Sequence, residues 1–133
     1  WSISLLSRAT DWERSFRRKP MSTTNGREFY DEQLAYLASK DTDALVEHHY
    51  AEDGALIAFD TLVKGQAELK AHFKRYIDFL GYIKILSTDK FTETDDAIFF
   101  EATVETRLGV VTVYDAFVFD KDGRATHHFT GVK

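Results

Sequence analysis

The hydrophobic residues follow two different spacings along the chain. From residue 25 to residue 81, apolar side chains recur every three or four positions, which is typical of amphipathic helices. The spacing predicts three helices, over approximately residues 25–38, 41–50 and 66–80. A short apolar run at Ala55–Phe59 predicts a strand between the second and third helices, and Asp60 to Gly65 turns back from it.

Beyond Gly81 the apolar residues alternate with polar ones, which is the period of a half-buried strand. The alternation predicts four strands, over residues 82–91, 97–107, 109–119 and 125–133. The connections between them are short, so we expect antiparallel hairpins. Helices followed by such a sheet indicate an α+β domain. We therefore expect three helices on a strongly curved antiparallel sheet, a cone or half-barrel that encloses an apolar pocket.

Composition and charge exclude several classes of protein. The 133 residues predict one domain, and 44% of them are apolar. A net charge of −5 argues against nucleic-acid binding, and no apolar run is long enough for a membrane helix. The chain has no Cys, so it has neither a disulfide framework nor a thiolate nucleophile. We expect a cytoplasmic protein.

A boundary separates residues 1–20 from the rest of the chain. The first 20 residues hold five basic and two acidic side chains, and Met21 then opens a segment that looks like an ordinary translation start. The predicted organisation is therefore an extension over 1–20, upstream or added sequence, and one domain over 21–133. The apolar stretch near the N-terminus is too short for a signal peptide.

Asp115 is the candidate that the strand pattern favours most. It shares one face of its strand with four apolar residues, namely Val111, Val113, Phe117 and Phe119. A carboxylate in that place pairs with a cation, points at water, or stays protonated because desolvation raises its pKa. The protonated form would be a hydrogen-bond donor in an apolar pocket that Phe117 and Phe100 help to line. A solvated position at a strand edge is the alternative.

Two adjacent histidines follow on the last strand, so one of them faces the same side as Asp115. If Phe119 pairs with Ala125 in straight register, His127 lies beside Phe117. A single bulge would place His128 there instead.

Other candidates have both a chemical and a structural interpretation. Asp60 follows the first strand, either as a general base at a cavity mouth or as a turn residue. Tyr30 lies on the apolar face of the first helix and either presents its hydroxyl to the cavity or packs in the core. His48 and His49 end the second helix, where they suit the helix dipole better than a metal, and we predict no metal site.

Three segments of the chain resemble a known superfamily. Asp41-Thr-Asp-Ala-Leu-Val, with Tyr50-Ala-Glu-Asp-Gly54, looks like a characteristic second helix and its exit into the first strand. Lys64-Gly-Gln-Ala-Glu-Leu69 looks like the start of the third helix, and residues 114–124 look like the penultimate strand and last hairpin. Together they resemble the nuclear transport factor 2-like superfamily over about residues 25–133. This superfamily includes ketosteroid isomerases, SnoaL-like polyketide cyclases, scytalone dehydratase and limonene epoxide hydrolase.

The resemblance implies roles for individual residues. Asp115 matches the acid that stabilises the dienolate oxygen in ketosteroid isomerases. In those enzymes this carboxylic acid stays protonated at neutral pH. His128 matches the His of the last strand in SnoaL-like cyclases. Gln33 stands where the isomerases have their oxyanion-hole tyrosine, and Ala58 stands where they have their base, unless the turn shifts that role to Asp60.

These observations lead to three hypotheses about function. The first is an enzyme that transfers protons on a small apolar carbonyl or enol compound, as isomerase, cyclase or dehydratase, with Asp115, Asp60 and His128 as catalytic residues and no cofactor. An epoxide hydrolase that uses Arg107 is a lower-ranked variant. The second is a module that binds a ligand or protein without catalysis, and the third is a purely structural domain. We expect a homodimer, through the strand face that carries Phe99.

Overall fold

A computed structural model describes residues 25–133, and the predicted extension over residues 1–20 lies outside them. It contains three helices, α1 (Gly26–Ser39), α2 (Thr42–His49) and α3 (Gln66–Leu80). It also contains six strands, β1 (Tyr50–Ala58), β2 (Thr61–Lys64), β3 (Lys84–Glu93), β4 (Ala97–Thr106), β5 (Gly109–Phe119) and β6 (Ala125–Val132). The predicted α+β class is confirmed.

The helix ends follow the capping residues of the sequence. The Asn25 side chain accepts a hydrogen bond of 2.7 Å from the backbone N–H of Glu28 and so caps α1. Asp41 caps α2 in the same way through the N–H of Ala44. Gly81 ends α3 with a φ of +77°, a conformation that glycine adopts without strain. The three predicted helices are therefore confirmed, with ends that differ by one or two residues.

The sheet is open and mixed, in the order β2-β1-β6-β5-β4-β3. The hairpin pairs β3–β4, β4–β5 and β5–β6 are antiparallel, as their short connections predicted. The prediction of a wholly antiparallel sheet is wrong, because β1 pairs with β6 in parallel. Strands so distant in the sequence leave no turn between them from which their relative direction could be predicted.

Strand β1 begins at Tyr50, five residues before the predicted start at Ala55. Glu52 and Asp53 are exposed and interrupt the apolar run, and the register against β6 shifts between Tyr50 and Ala55. The early start matters because it places the Tyr50 side chain in the core, with none of its surface exposed.

The core lies between the three helices and one face of the sheet. Its members are apolar side chains of every helix and of strands β1, β4, β5 and β6, among them Phe29, Leu45, Tyr50, Phe73, Phe100, Phe117 and Ala125. Five side chains in or beside this core are joined to one another by hydrogen bonds between their polar groups. Within residues 25–133, no helix has the length and apolar character needed to cross a membrane.

Candidate functional site

A bulge decides which histidine joins Asp115. Phe119 pairs with Ala125, as the straight register required, but the register shifts by one residue between Val118 and Phe119. As a result Phe117 pairs with His128, and His127 lies on the opposite face. His128 Nε2 lies 2.6 Å from Asp115 Oδ2, which is a short, strong hydrogen bond. Asp115 therefore has a buried imidazole as its hydrogen-bond partner.

Behind this pair, the hydrogen bonds continue into the core. His128 Nδ1 lies 2.7 Å from the hydroxyl of Tyr50, and the amide Nε2 of Gln33 donates to the same hydroxyl at 3.3 Å. Gln33 Oε1 lies 2.8 Å from His49 Nδ1. The three interior groups Gln33, Tyr50 and His128 are all buried. The carboxylate of Asp115 is thus connected to α1 and α2 through the middle of the protein.

The chain of hydrogen bonds ends at a second carboxylate. His49 Nε2 lies 3.1 Å from Glu32 Oε1 on α1. The His49 side chain is 4% exposed, whereas the Glu32 side chain is 52% exposed. We call the six side chains Glu32, His49, Gln33, Tyr50, His128 and Asp115 the polar chain. It runs from a solvated carboxylate at one end to a part-buried carboxylate, 14% exposed, at the other.

Aromatic rings fix the orientation of both imidazoles. Phe29 stacks on His49, and Phe117 stacks on His128, in each case with ring centroids 3.9 Å apart and planes 21° apart. Phe29 and Phe117 also contact each other edge to face, with centroids 5.0 Å apart. The two imidazoles are therefore held by one aromatic cluster, and each directs one nitrogen at a carboxylate and the other at the interior of the chain.

Burial shapes the electrostatics of the polar chain. Burial lowers the pKa of His49, an effect that the hydrogen bond to Glu32 and the charge of Glu32 oppose. Burial raises the pKa of Tyr50 well above its ordinary value; the hydrogen bond from Gln33 acts against this, and the charge of Asp115 adds to it. The Tyr50 hydroxyl therefore keeps its proton and can donate it in a hydrogen bond.

The two carboxylate oxygens of Asp115 differ in their hydrogen bonding. Within residues 25–133 no hydrogen-bond donor engages Oδ1, while Oδ2 is held by His128. Tyr76 of α3, which is 37% exposed, lies close enough for the Asp115 charge to reinforce the rise in its pKa that burial causes. Asp115 is therefore a carboxylate with one fixed and one unengaged oxygen, close to an exposed tyrosine.

The structure brings some of the predicted site residues together. Tyr30, Phe100 and Phe117 are buried, and Tyr30 and Phe100 contact each other with ring centroids 4.5 Å apart. The Tyr30 hydroxyl bonds to Thr88 Oγ1 at 2.6 Å, so it is engaged. Asp60 lies apart from this group, exposed on the turn between β1 and β2, where its carboxylate accepts a hydrogen bond from Thr61.

The sequence analysis did not predict four members of the polar chain as functional residues, namely Glu32, His49, Tyr50 and Gln33. His49 lies at the end of α2 as predicted, but it is buried against α1 instead of acting only at the helix terminus. Tyr50 was assigned to the end of a helix, although it begins β1. Gln33 lies among apolar positions of α1, and that placement is the one available signal, since an amide buried there needs polar partners.

Comparison with known proteins supports the fold. A protein assigned provisionally as a polyketide cyclase, from Sinorhizobium meliloti, shares 20% sequence identity with a TM-score of 0.66, over 78% of this chain and 94% of its own. An NTF2-like protein from Anabaena variabilis shares 19% identity with a TM-score of 0.70, over 80% of this chain and 85% of its own. A provisional isomerase of the SnoaL-like family from Agrobacterium tumefaciens shares 14% identity with a TM-score of 0.67, over 79% and 94%.

No family model matches the sequence, and neither does any curated protein. At these identities a structural match shows the architecture and leaves the activity open. The structural matches agree with the resemblance found in the three sequence segments. The chain therefore has the nuclear transport factor 2-like fold.

Proposed function

We propose that the chain is an enzyme that transfers protons on a small, largely apolar carbonyl or enol compound bound at Asp115. The observation that carries the proposal is the state of the Asp115 carboxylate. One oxygen is held at 2.6 Å by a buried imidazole, and the other is unengaged within the described residues. A carboxylate that is fixed in place, part-buried and open on one side is suited to donate or accept a proton.

His128 and Asp115 share the work in this proposal. The pair holds a proton between Nε2 and Oδ2, and Asp115 Oδ1 faces the substrate oxygen or carbon. When the pair is protonated, Asp115 donates a hydrogen bond to a developing oxyanion, an interaction worth about 3–4 kcal/mol in a preorganised site. When it is deprotonated, the same oxygen accepts a proton. This chemistry uses no metal or redox cofactor.

The comparisons lend support to isomerase and cyclase chemistry in particular. Two structural neighbours carry provisional assignments as an isomerase and as a polyketide cyclase. Both reactions move protons next to a carbonyl group. Dehydratase chemistry uses the same acid and base. Epoxide hydrolysis ranks lower, because Arg107 donates to the backbone carbonyl of Phe79 at 2.6 Å at the end of α3.

A phenol titration tests the site directly. A phenolate resembles an enolate oxyanion, so planar phenols should bind the parent protein and change their absorbance. We expect Asp115→Leu to weaken binding by at least about tenfold, which corresponds to one lost charge-assisted hydrogen bond. Asp122→Asn, which alters an exposed carboxylate on the β5–β6 turn, is the matched control and should bind as the parent does. Equal binding by Asp115→Leu and the parent would remove Asp115 from the site.

Turnover of carbonyl compounds separates the catalytic residues. Asp115→Asn should lose most of the activity while keeping the fold, since the amide can still hydrogen bond to His128. Asp60→Asn tests whether the predicted base acts from its exposed turn. A rate unchanged by Asp60→Asn would leave Asp115 and His128 as the proton-transfer groups.

A ligand-binding module without catalysis is the second candidate. The observation that favours it concerns Gln33, which stands at the position of the isomerases' oxyanion-hole tyrosine. Its amide nitrogen donates to Tyr50, and its amide oxygen is bonded to His49. That use leaves one fewer donor for an oxyanion. Phenol binding that depends on Asp115, with no turnover of any carbonyl compound tested, would support this candidate.

We also propose a homodimer that forms through the outer face of the sheet. Phe99 is 51% exposed and Phe129 is 44% exposed, and both strands bring these rings next to Ala116. An exposed apolar patch of this kind favours association with a second copy. Sedimentation analysis should give a dimer for the parent and a monomer for Phe99→Asp, and a monomeric parent would contradict the proposal.

A further inference from the structure

The polar chain contains more hydrogen bonds than neutral side chains can supply. Five hydrogen bonds join its six members in sequence, from Glu32 to Asp115. Each bond needs one proton between its two heavy atoms. An ionised carboxylate at either end contributes none, because it only accepts. All five protons must therefore come from the four interior groups, which are His49, Gln33, Tyr50 and His128.

With both imidazoles neutral, those four groups supply only four protons. A neutral imidazole has one N–H, the tyrosine hydroxyl has one O–H, and the Gln33 amide can direct one N–H along the chain while its oxygen accepts. One bond would then bring two acceptors face to face or two donors together. Such a defect leaves a nitrogen of a buried imidazole facing another acceptor, which is costly. A fifth, excess proton removes the defect.

The orientation of Gln33 determines where the excess proton belongs. In the structure its Oε1 faces His49 and its Nε2 faces Tyr50. Tyr50 then donates to His128 Nδ1, and His128 Nε2–H donates to Asp115, so this half is complete with a neutral imidazole. His49 must donate to Gln33 through Nδ1 and also meet Glu32 with Nε2, which places the excess proton at the Glu32 end.

Rotating the amide by half a turn reverses the donor in the three interior bonds, which join His49 to Gln33, Gln33 to Tyr50, and Tyr50 to His128. Gln33 then donates to a neutral His49, whose Nε2–H faces Glu32, and Tyr50 donates to the Gln33 oxygen. His128 must donate to Tyr50 through Nδ1 and also meet Asp115 with Nε2, so the excess proton belongs to the Asp115 end. Gln33 itself transfers no proton. The orientation of its amide sets which atoms donate in the hydrogen bonds on both sides of it.

The surroundings of the two imidazoles keep both arrangements accessible. His49 faces Glu32 and Tyr36 on α1 and has His48 beside it, and burial opposes a charge on it. His128 is bonded to Asp115 and Tyr50. On α3, the pKa of His72 is lowered by burial, by the charge of Arg75 and, to a smaller extent, by the charge of His128. Each end thus has one carboxylate that favours the proton, whereas burial of the imidazole or a neighbouring histidine opposes it.

We propose that the polar chain holds one excess proton on either its His49–Glu32 pair or its His128–Asp115 pair, and that the Gln33 amide couples the two positions. Gln33 and Tyr50 are in this account positioning residues that act on Asp115 through His128. The inference concerns where a proton resides and holds whether or not the site turns over a substrate.

Two isosteric variants fix the arrangement from opposite ends. Glu32→Gln supplies the fifth proton as an amide N–H to His49 Nε2, so His49 should carry its proton on Nδ1 and His128 on Nε2, both neutral. Asp115→Asn supplies it to His128 Nε2, so His128 should carry its proton on Nδ1 and His49 on Nε2. The replaced groups keep their size, and Glu32 is half-exposed, so the fold is not at risk.

Nitrogen NMR of the full chain with labelled histidine reads these tautomers directly. The expected result is that the two variants differ at both imidazoles. His49 should carry its proton on Nδ1 in Glu32→Gln and on Nε2 in Asp115→Asn, whereas His128 should carry it on Nε2 in Glu32→Gln and on Nδ1 in Asp115→Asn. In the parent, one pair should hold the excess proton. Two neutral parent imidazoles that both donate to their carboxylates would overturn the proposal, because the chain would then hold four protons.

Gln33→Leu tests whether the amide carries the coupling. With the link removed, adding Asp115→Asn should no longer alter the His49 tautomer, whereas the direct effect on His128 should persist. If the distant effect survives Gln33→Leu, or if neither isosteric variant moves the distant imidazole, the coupling through Gln33 is refuted. A near-ultraviolet circular dichroism spectrum equal to the parent's confirms that each variant is folded.

Discussion

The two ends of the polar chain are built alike and exposed differently. Each is an imidazole stacked on a phenylalanine at 3.9 Å and hydrogen bonded to a carboxylate. The His128–Asp115 bond is 2.6 Å long and its carboxylate is 14% exposed, whereas the His49–Glu32 bond is 3.1 Å long and its carboxylate is 52% exposed. The same chemical unit is thus placed once in a site and once at the solvated surface.

This difference assigns separate tasks to the two ends. A carboxylate half in water exchanges protons with solvent and gains little from its partner, because water screens the interaction. A carboxylate that is mostly enclosed interacts strongly with its one partner and with any bound molecule. We therefore expect substitutions of the Asp115 carboxylate to have larger effects than substitutions of the Glu32 carboxylate, whereas the buried parts of the two ends should respond alike.

The largest effect should come from removing the ring beneath His128. Phe117 is 1% exposed and contacts Phe29 as well as His128, so Phe117→Ala should cost about 3–5 kcal/mol in the free energy of unfolding. Phe29→Ala removes the equivalent ring beneath His49 and should cost a similar amount. Urea denaturation measures both. A cost below about 1 kcal/mol for either ring would mean that the aromatic cluster does not hold the imidazoles.

Removing the hydroxyl between the two halves should have the next largest effect. Tyr50→Phe leaves the Gln33 amide and His128 Nδ1 buried without their partner, which should cost about 1–3 kcal/mol in the free energy of unfolding. Tyr30→Phe is the matched control. Tyr30 is as buried as Tyr50, but its hydroxyl has one partner, the hydroxyl of Thr88, in a part-buried hydrogen bond. Equal costs for the two variants in urea denaturation would contradict a special role for the Tyr50 hydroxyl.

The sequence predicted one half of this arrangement and missed the other. Alternation along β5 placed Asp115 among apolar residues, and the choice between His127 and His128 needed only the bulge. Both depend on local patterns within one hairpin. The other half depends on α1 packing against α2 and on β1 pairing in parallel with β6, which no local pattern encodes. The contacts that join Glu32, His49, Gln33 and Tyr50 therefore could not be predicted from the sequence.

The fold was more predictable than the site. Helix caps such as Asn25 and Gly81 gave the helix ends, because capping depends on a few adjacent residues. Strand β1 was misjudged where Glu52 and Asp53 interrupt its apolar run. The predicted roles of Asp60 and Tyr30 and the predicted apolar pocket stay predictions, to be decided by the titration and turnover experiments.

Truncating the two carboxylates compares the ends directly. Asp115→Ala leaves the buried His128 N–H without an acceptor and should cost roughly 1–2 kcal/mol in the free energy of unfolding. Glu32→Ala should cost less than about 1 kcal/mol, because water replaces a carboxylate that is already half-exposed. Urea denaturation of both variants measures the difference. A larger cost for Glu32→Ala than for Asp115→Ala would contradict the stronger interaction that we expect at the Asp115 end.

The smallest effect concerns His72 on α3, a histidine whose pKa the charge of His128 helps to lower. Burial, followed by the charges of Arg75 and His128, lowers the pKa of His72 below its ordinary value near 6.5. The unfolded chain therefore binds a proton at this residue more readily than the folded chain does. Stability should fall as the pH drops through about 6.5 toward the lower pKa of the folded state, and the loss is complete below that pKa.

His72→Gln should remove this part of the pH dependence and leave the stability above about pH 7 nearly unchanged. Urea denaturation of parent and variant across this range measures the two slopes. His127, exposed on the face of the sheet opposite His128, is the matched control, and His127→Gln should leave the parent's slope in place. An equal change in slope for both variants would show that His72 contributes no pH dependence of its own. The two ends of the polar chain would then differ only in the exposure of their carboxylates.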